Sequence, residues 1–184
     1  MSPRPSRRDE LVEAALSAFS ERGFEGTSIG QLSDATGVSK AAFTYHFASK
    51  EELLAEAVGP FLDRLGEVKR RHPDAPSWPD GVRALLEDYM GVLMEHEEVV
   101  TWIDGDKSVL NHPSLGRQLR ESNKAMRSAL AGEDRSKRAR VEAAAVLGML
   151  WRPMRNLDAS EVDSTRDTLI DLAVEAVGTI REAT

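Results

Sequence analysis

Three observations in the 184-residue sequence predict an all-α fold. Apolar residues recur with the spacing of a helix face along nearly the whole chain. No segment alternates with the period of a half-buried strand. Ser, Gly and Pro punctuate the apolar stripes where helices begin and end. On that basis the chain divides into about nine helices, with no internal repeat and no low-complexity tract.

The first helix runs from Arg7 to Arg22. Ser6 caps it with Asp9 three residues on, and Leu11, Val12, Ala15, Leu16 and Phe19 form its apolar stripe. Gly23 supplies a left-handed stop and Phe24 its apolar follower. A short second helix opens at Thr27 or Ser28, where Ser28 and Gln31 fit a capping box, buries Ile29, Leu32 and Ala35, and ends before Gly37. A third runs from Ser39 to about Phe47. Ser49 and Glu52 form another box, opening a long fourth helix with Leu54, Val58, Phe61, Leu65 and Val68 along one side. Gly59 and Pro60 lie inside that helix, and the missing Pro60 N–H predicts a kink there. The proline-bearing stretch RRHPDAPSWPD, residues 70–80, is a loop. Five further helices follow at about 81–96, 98–110, 113–132, 136–155 and 162–181.

Apolar residues make up 41% of the chain and charged residues 30%, the balance of a soluble globular protein. Cysteine is absent, which excludes disulfide scaffolds, thiol nucleophiles and cysteine-rich zinc modules. The longest apolar run, Ala143 to Trp151, is far shorter than the roughly 20 residues needed to span a bilayer. The opening MSPRPSRR leads into no apolar segment, so a cytoplasmic protein without membrane contact is expected. The net charge of −7 argues against a nucleic-acid partner, but the charge is uneven. Residues 1–50 carry six basic and six acidic side chains, so the whole negative surplus lies beyond them.

The pair of short helices joined at Gly37 is the informative segment. The turn needs a residue tolerant of positive φ, and glycine meets that need. With Val38, Phe43 and Phe47 turned inward, the third helix presents Lys40, Ala41, Thr44 and Tyr45 outward. Its first turn is then free to enter a DNA major groove with Ser39, Lys40, Ala41 and Ala42 near base edges. The hydroxyls of Thr27, Ser28, Thr44 and Tyr45, the ring of His46 and the ammonium of Lys50 stand where phosphate oxygens would pass. Arg4, Arg7 and Arg8 add a basic arm.

Phe24 to Leu53 resembles the DNA-binding domain of TetR/AcrR-type transcriptional regulators. GVSK at residues 37–40, YHF at 45–47 and SKEEL at 49–53 match the family pattern in register. Thr44 stands where that family usually has tyrosine, Gly30 where a basic or polar side chain is common, and Ser33 where alanine is usual. The resemblance implies a homodimer binding a palindromic double-stranded DNA operator. It further implies residues 1–48 as the helix-turn-helix domain, residues 49–184 as a ligand-binding and dimerisation domain, and repression relieved by a small-molecule effector.

The eighth and ninth helices are apolar nearly all round, which predicts burial on both sides and a four-helix interface between subunits. Val146, Leu147, Leu150 and Trp151 with Leu169, Leu172, Ala176 and Val177 are its expected residues, and Ile180 continues the last stripe. Between the two ends lie bulky residues, Phe61, Tyr89, Met90, Leu93, Met94, Trp102 and Met126, with Leu110 and Leu130 nearby. They suit either a plain core or a pocket for an apolar effector, with Tyr89 or Trp102 offering a hydrogen bond. Glu95, His96, Glu97 and Glu98, with Asp104, Asp106 and His112, lack helical metal-ligand spacing, so no metal or cofactor is expected. Phosphate loops, HExxH and GxSxG are absent. Two rival classes remain open at this stage: a helical interaction module without DNA binding, and a helical enzyme working through carboxylates.

Overall fold

The computed structural model of the chain describes residues 6–72, 76–134 and 136–182. Arg4 lies outside them, as does the side chain of Ile180. Among the described residues there are eleven helices and no strand. They are α1 (Arg7–Arg22), α2 (Ile29–Thr36), α3 (Lys40–His46), α4 (Lys50–Arg71), α5 (Asp80–Glu95), α6 (Glu97–Gly105), α7 (Lys107–Asn111), α8 (Leu115–Ala131), α9 (Lys137–Trp151), α10 (Pro153–Asn156) and α11 (Ala159–Glu182).

All nine predicted helices are present, and two of them are interrupted. The expected helix over 98–110 breaks into α6 and α7 because Asp106 leaves the helix and caps the next one, its carboxylate accepting the Ser108 N–H at 3.0 Å. The expected helix over 136–155 breaks at Arg152, where Pro153 has no N–H for the ladder and starts the single turn of α10. Two capping boxes form as predicted, Ser6 with Asp9 and Ser28 with Gln31. At α4 only half of the box forms. Ser49 accepts the Glu52 N–H at 3.1 Å, while Glu52 reaches one residue further back and accepts the Ala48 N–H at 2.7 Å.

α1 packs on α2, α4 and α6; α4 runs on to α5 and α8; α9 lies between α8 and α11, and α11 returns to α5. The α5–α11 contact is reinforced by the Arg83–Asp171 ion pair and by the Trp78 indole, which donates to the Val174 carbonyl at 3.3 Å. A single contiguous apolar core runs from Leu11 of α1 to Val177 of α11. α4 belongs to both ends of that core, with Leu53 and Leu54 near its start and Phe61, Leu65 and Val68 along the body. It continues as helix through Pro60, although that residue cannot donate to the Glu56 carbonyl.

Because α4 joins the two ends, its start matters most. Ser49→Ala removes its hydroxyl cap and is expected to lower stability by about 1 kcal/mol, read as a shift of the urea midpoint. An unchanged midpoint would mean that tertiary packing alone fixes where α4 begins.

Candidate nucleic-acid interface and ligand cavity

α2 ends at Gly37 in the left-handed conformation, φ 65° and ψ 18°, and two residues later the Ser39 hydroxyl opens α3 by accepting the Ala42 N–H at 3.1 Å. Val38, Phe43 and Phe47 are buried, and this anchors a helix of only seven residues that could not stand alone. Ser39, Lys40, Ala41, Ala42, Thr44 and Tyr45 are all exposed, with Tyr45 at 87%. His46 is half-buried, its ring edge-on to Tyr45 with centroids 5.4 Å apart. Ser28 is exposed beside this face as the cap of α2. Gly30, which departs from the family pattern, has a local reason. A Cβ there would stand 3.2 Å from Lys40 Cε, so glycine gives the Lys40 stem room to lie across α2.

Four expectations around this face are corrected. Thr27 is 2% exposed, and its hydroxyl donates to the Gly23 carbonyl at 2.9 Å or to that of Ala18 at 3.2 Å, so it faces the core and not a phosphate. Ala35 is exposed, and the inward position on α2 belongs to Ser33, whose hydroxyl is satisfied by the Ile29 carbonyl at 2.8 Å. Lys50 is engaged internally. Its ammonium donates to the Phe24 carbonyl at 2.8 Å and sits 4.1 Å from the centroid of the Phe24 ring. Arg8 forks onto Glu56 through two 3.1 Å bonds, donates to the His46 carbonyl and stacks over Phe47, so it clasps α1, α3 and α4 together and is no free arm.

Phe24 is the joint between these helices and the body. Its N–H donates to Asp106 Oδ2 at 2.6 Å, its carbonyl takes Lys50, and its ring meets Phe19 and His112 edge-on. Gly23, at φ 76°, lets the turn come this close, since a Cβ there would lie 3.2 Å from the Asp106 carboxylate. Trp102 of α6 stacks on Phe19 with centroids 5.3 Å apart and donates to Asp106 at 3.3 Å. Burial alone would raise the Asp106 carboxyl. Hydrogen bonds from Ser108, the Phe24 N–H and Trp102 outweigh that and hold it below the ordinary carboxylate value.

A cavity of about 200 Å³ opens inside the body between α4, α5, α6, α8 and α9. Of the residues expected to line a pocket, Phe61, Tyr89 and Leu93 do so, joined by Leu110. Met90, Met94, Trp102 and Met126 do not line it. Met90 and Met126 are core packing, Met94 is half-buried against that core, and Trp102 faces α1. Residues that the sequence reading left out complete the wall, notably Val100 and Ile103 on α6 and Asn123 and Arg127 on α8.

The expected subunit interface is likewise redistributed. Val146, Leu147, Leu150 and Val177 are buried within the single chain, because one face of α9 packs on α8 and another on α11. Leu147 and Trp151 belong to the cavity wall. Leu172 is 47% exposed, Leu169 and Ala176 are half-buried, and with exposed Val141 and Ala145 they leave an apolar outer face on α9 and α11. The acidic run resolves into structural duties. Asp104 pairs with Arg152 and Arg155, the His112 ring accepts the Leu115 N–H, and no group of metal-ligating side chains gathers among the described residues. No helix there is long and apolar enough to cross a membrane.

Asp106→Ala severs the joint and is expected to cost about 1.5–3 kcal/mol at neutral pH. A carboxyl depressed in the folded state stabilises above its unfolded value, 3.8, and loses that contribution as pH falls through the folded value. The gap between variant and parent, followed by denaturant melts from pH 7 to pH 3, should therefore close in acid. A gap that stays constant with pH would rule out the carboxylate as its source.

Residues 11–57, from α1 into α4, match the family model of bacterial regulatory proteins, tetR family. The HTH-type transcriptional repressor KstR2 of Mycobacterium tuberculosis strain H37Rv is 32% identical over 130 residues, which cover 66% of this chain and 62% of that protein, a little under two thirds of its length. The HTH-type transcriptional regulator BetI of Yersinia pestis strain Pestoides F is 29% identical over 134 residues, 71% of this chain and 68% of its own length. Among solved structures, the TetR family transcriptional regulator PfmR of Thermus thermophilus superposes with a TM-score of 0.67 at 25% identity, covering 93% of this chain and 97% of that one. The helix-turn-helix segment of the chain, residues 11–57, is thus similar to that of the tetR family of bacterial regulatory proteins, and the all-helical fold is shared with PfmR.

Proposed function

We propose that this chain is a ligand-responsive, sequence-specific DNA-binding regulator that acts as a homodimer and represses by occupying an operator. The observation that carries the reading is the exposed face of α3, where small and polar side chains stand outward over a clamped aromatic underside. Ser39, Lys40, Ala41 and Ala42 meet base edges, and Ser28, Thr44, Tyr45 and His46 meet the backbone. Repression follows the role of the KstR2 relative, a transcriptional repressor. Residues 1–48 form the reading module and residues 49–184 the sensing and dimerising module, working in the cytoplasm where the DNA is.

The outer apolar face of α9 and α11 pairs with its own copy about a two-fold axis, which suits a palindromic site. The cavity takes the effector. α6 is the link between cavity and reading module, because Val100 and Ile103 line the cavity while Trp102 in the same helix stacks on Phe19 of α1. A second route runs along α4, where Phe61 follows Pro60 directly and also lines the cavity. An effector that favours one setting of these helices changes the spacing of the two α3 helices in a dimer.

The deciding experiment is a fluorescence-anisotropy titration onto the protein's own upstream intergenic DNA at two salt concentrations, with a scrambled duplex as control. Tight binding that exceeds the control and weakens steeply with salt is expected, and Lys40→Ala should weaken it and narrow its margin over the scrambled duplex. Equal weak binding to both duplexes would remove the promoter-occupying reading. Leu172→Glu places a charge in the outer apolar face and should halve the molar mass seen by light scattering, and a variant that keeps the parent's mass would exclude that face as the subunit contact. Pro60→Ala should alter the ligand response of DNA binding. If affinity and response both match the parent, α4 is no hinge.

A further inference from the structure

We propose that the cavity is built for a small monocarboxylate with an apolar body, its carboxylate held by Arg127 and Asn123; this rests on the reading of the cavity as the effector site. Phe61, Tyr89, Leu93, Val100 and Ile103 form a buried apolar inner end. Asn123 is exposed and Arg127 half-buried, so these two mark the solvent side. They stand four residues apart on α8 and therefore share one face of that helix.

The charge of this wall is unusual for the molecule. The chain carries −7 overall, yet among the described residues the cavity is lined by one cation and by no Asp or Glu. Several other arginines are paired, Arg64 with Glu67 and Glu95, Arg83 with Asp171 and Arg138 with Glu142. Arg127 makes no ion pair or hydrogen bond with any described residue, and its guanidinium is left to whatever enters. A guanidinium fork matches the two oxygens of a carboxylate, and the Asn123 amide adds a donor beside it. Deeper in, Tyr89 makes no hydrogen bond with the described residues either. Burial pushes its hydroxyl up to about 12, so it stays neutral and can serve a polar atom on the ligand body.

Size and charge narrow the class further. A cavity of about 150 Å³ accepts benzene, so about 200 Å³ accommodates an aromatic ring or a short alkyl chain together with a carboxylate. A phosphate ester carries about −1.5 to −2 at neutral pH, more than a lone guanidinium balances.

The test is isothermal titration of the full-length protein with matched acid and amide pairs, phenylacetate against phenylacetamide and octanoate against octanamide. Each acid is expected to bind at least ten-fold more tightly than its amide. Arg127→Met should bring that ratio close to one while leaving amide binding intact, and Arg127→Lys should restore part of it. Cavity occupancy is read from the fluorescence of Trp151, whose change should vanish in Trp151→Phe. Acids that bind no better than amides, or a preference that survives Arg127→Met, would overturn the carboxylate assignment, and amides that still shift DNA affinity would then leave the effector-site reading standing. Failure of all four compounds to bind would overturn the assignment, and failure to move DNA affinity despite binding would sink the effector-site reading alone. If Arg127→Met does not fold, the parent ratio together with Arg127→Lys decides.

Discussion

The backbone of Phe24 is the constraint on which the arrangement of the molecule depends. Its N–H is held by Asp106 from the body, and its carbonyl is held by Lys50 from the start of α4. Both ends of one residue in a tight turn are thereby fixed to elements that are distant in sequence. Each bond involves an ionised partner, and such bonds contribute about twice what neutral ones do. Around them Phe19, Trp102 and His112 close an aromatic collar, so the turn between α1 and α2 cannot shift without moving α6 or α4. α3 is too short to define its own position, and it inherits that position from this joint.

The local rules were legible in the sequence because they act over three or four residues. Ser6, Ser28 and Ser39 cap where their spacing places them, Gly37 adopts the left-handed turn, and Val38, Phe43 and Phe47 point inward. What escaped that reading depends on partners far along the chain. Nothing near Thr27 announces that its hydroxyl turns inward to α1, and nothing near Lys50 announces that a carbonyl and a ring await it. Arg8 reads as a basic arm until α4 brings Glu56 beside it. The break at Pro153 had a signal in the missing N–H, and the break at Asp106 had one in the aspartate two residues before Ser108, but apolar periodicity carried the reading across both.

The same limit explains the division of α9. A helix apolar nearly all round must be covered on every side, and sequence alone does not say which cover comes from within the chain. The structure assigns Val146, Leu147 and Leu150 to α8, α11 and the cavity, and leaves Val141 and Ala145 outside. The uncovered side carries small residues, which permit close backbone approach by a second copy in the proposed dimer. Hydrophobicity thus located two helices that keep an apolar outer face and mistook which of their residues form it.

The size of the joint also bears on how far a ligand can act. Allosteric coupling between two sites is ordinarily about 1–3 kcal/mol, a change of about 5- to 150-fold in affinity. One charge-assisted hydrogen bond of the kind between Phe24 and Asp106 is worth about 1.5–3 kcal/mol, which reaches the top of that range. No global rearrangement is therefore needed for an effector to change DNA affinity. It is enough that filling the cavity displaces α6, since Val100 and Ile103 line the cavity and Trp102 binds the Asp106 carboxylate that holds the turn. A nine-residue helix packed on both sides moves as a unit, because close-packed interiors yield by discrete shifts and not by gradual deformation. In the proposed regulator, sensing and reading therefore lie on opposite faces of one short helix.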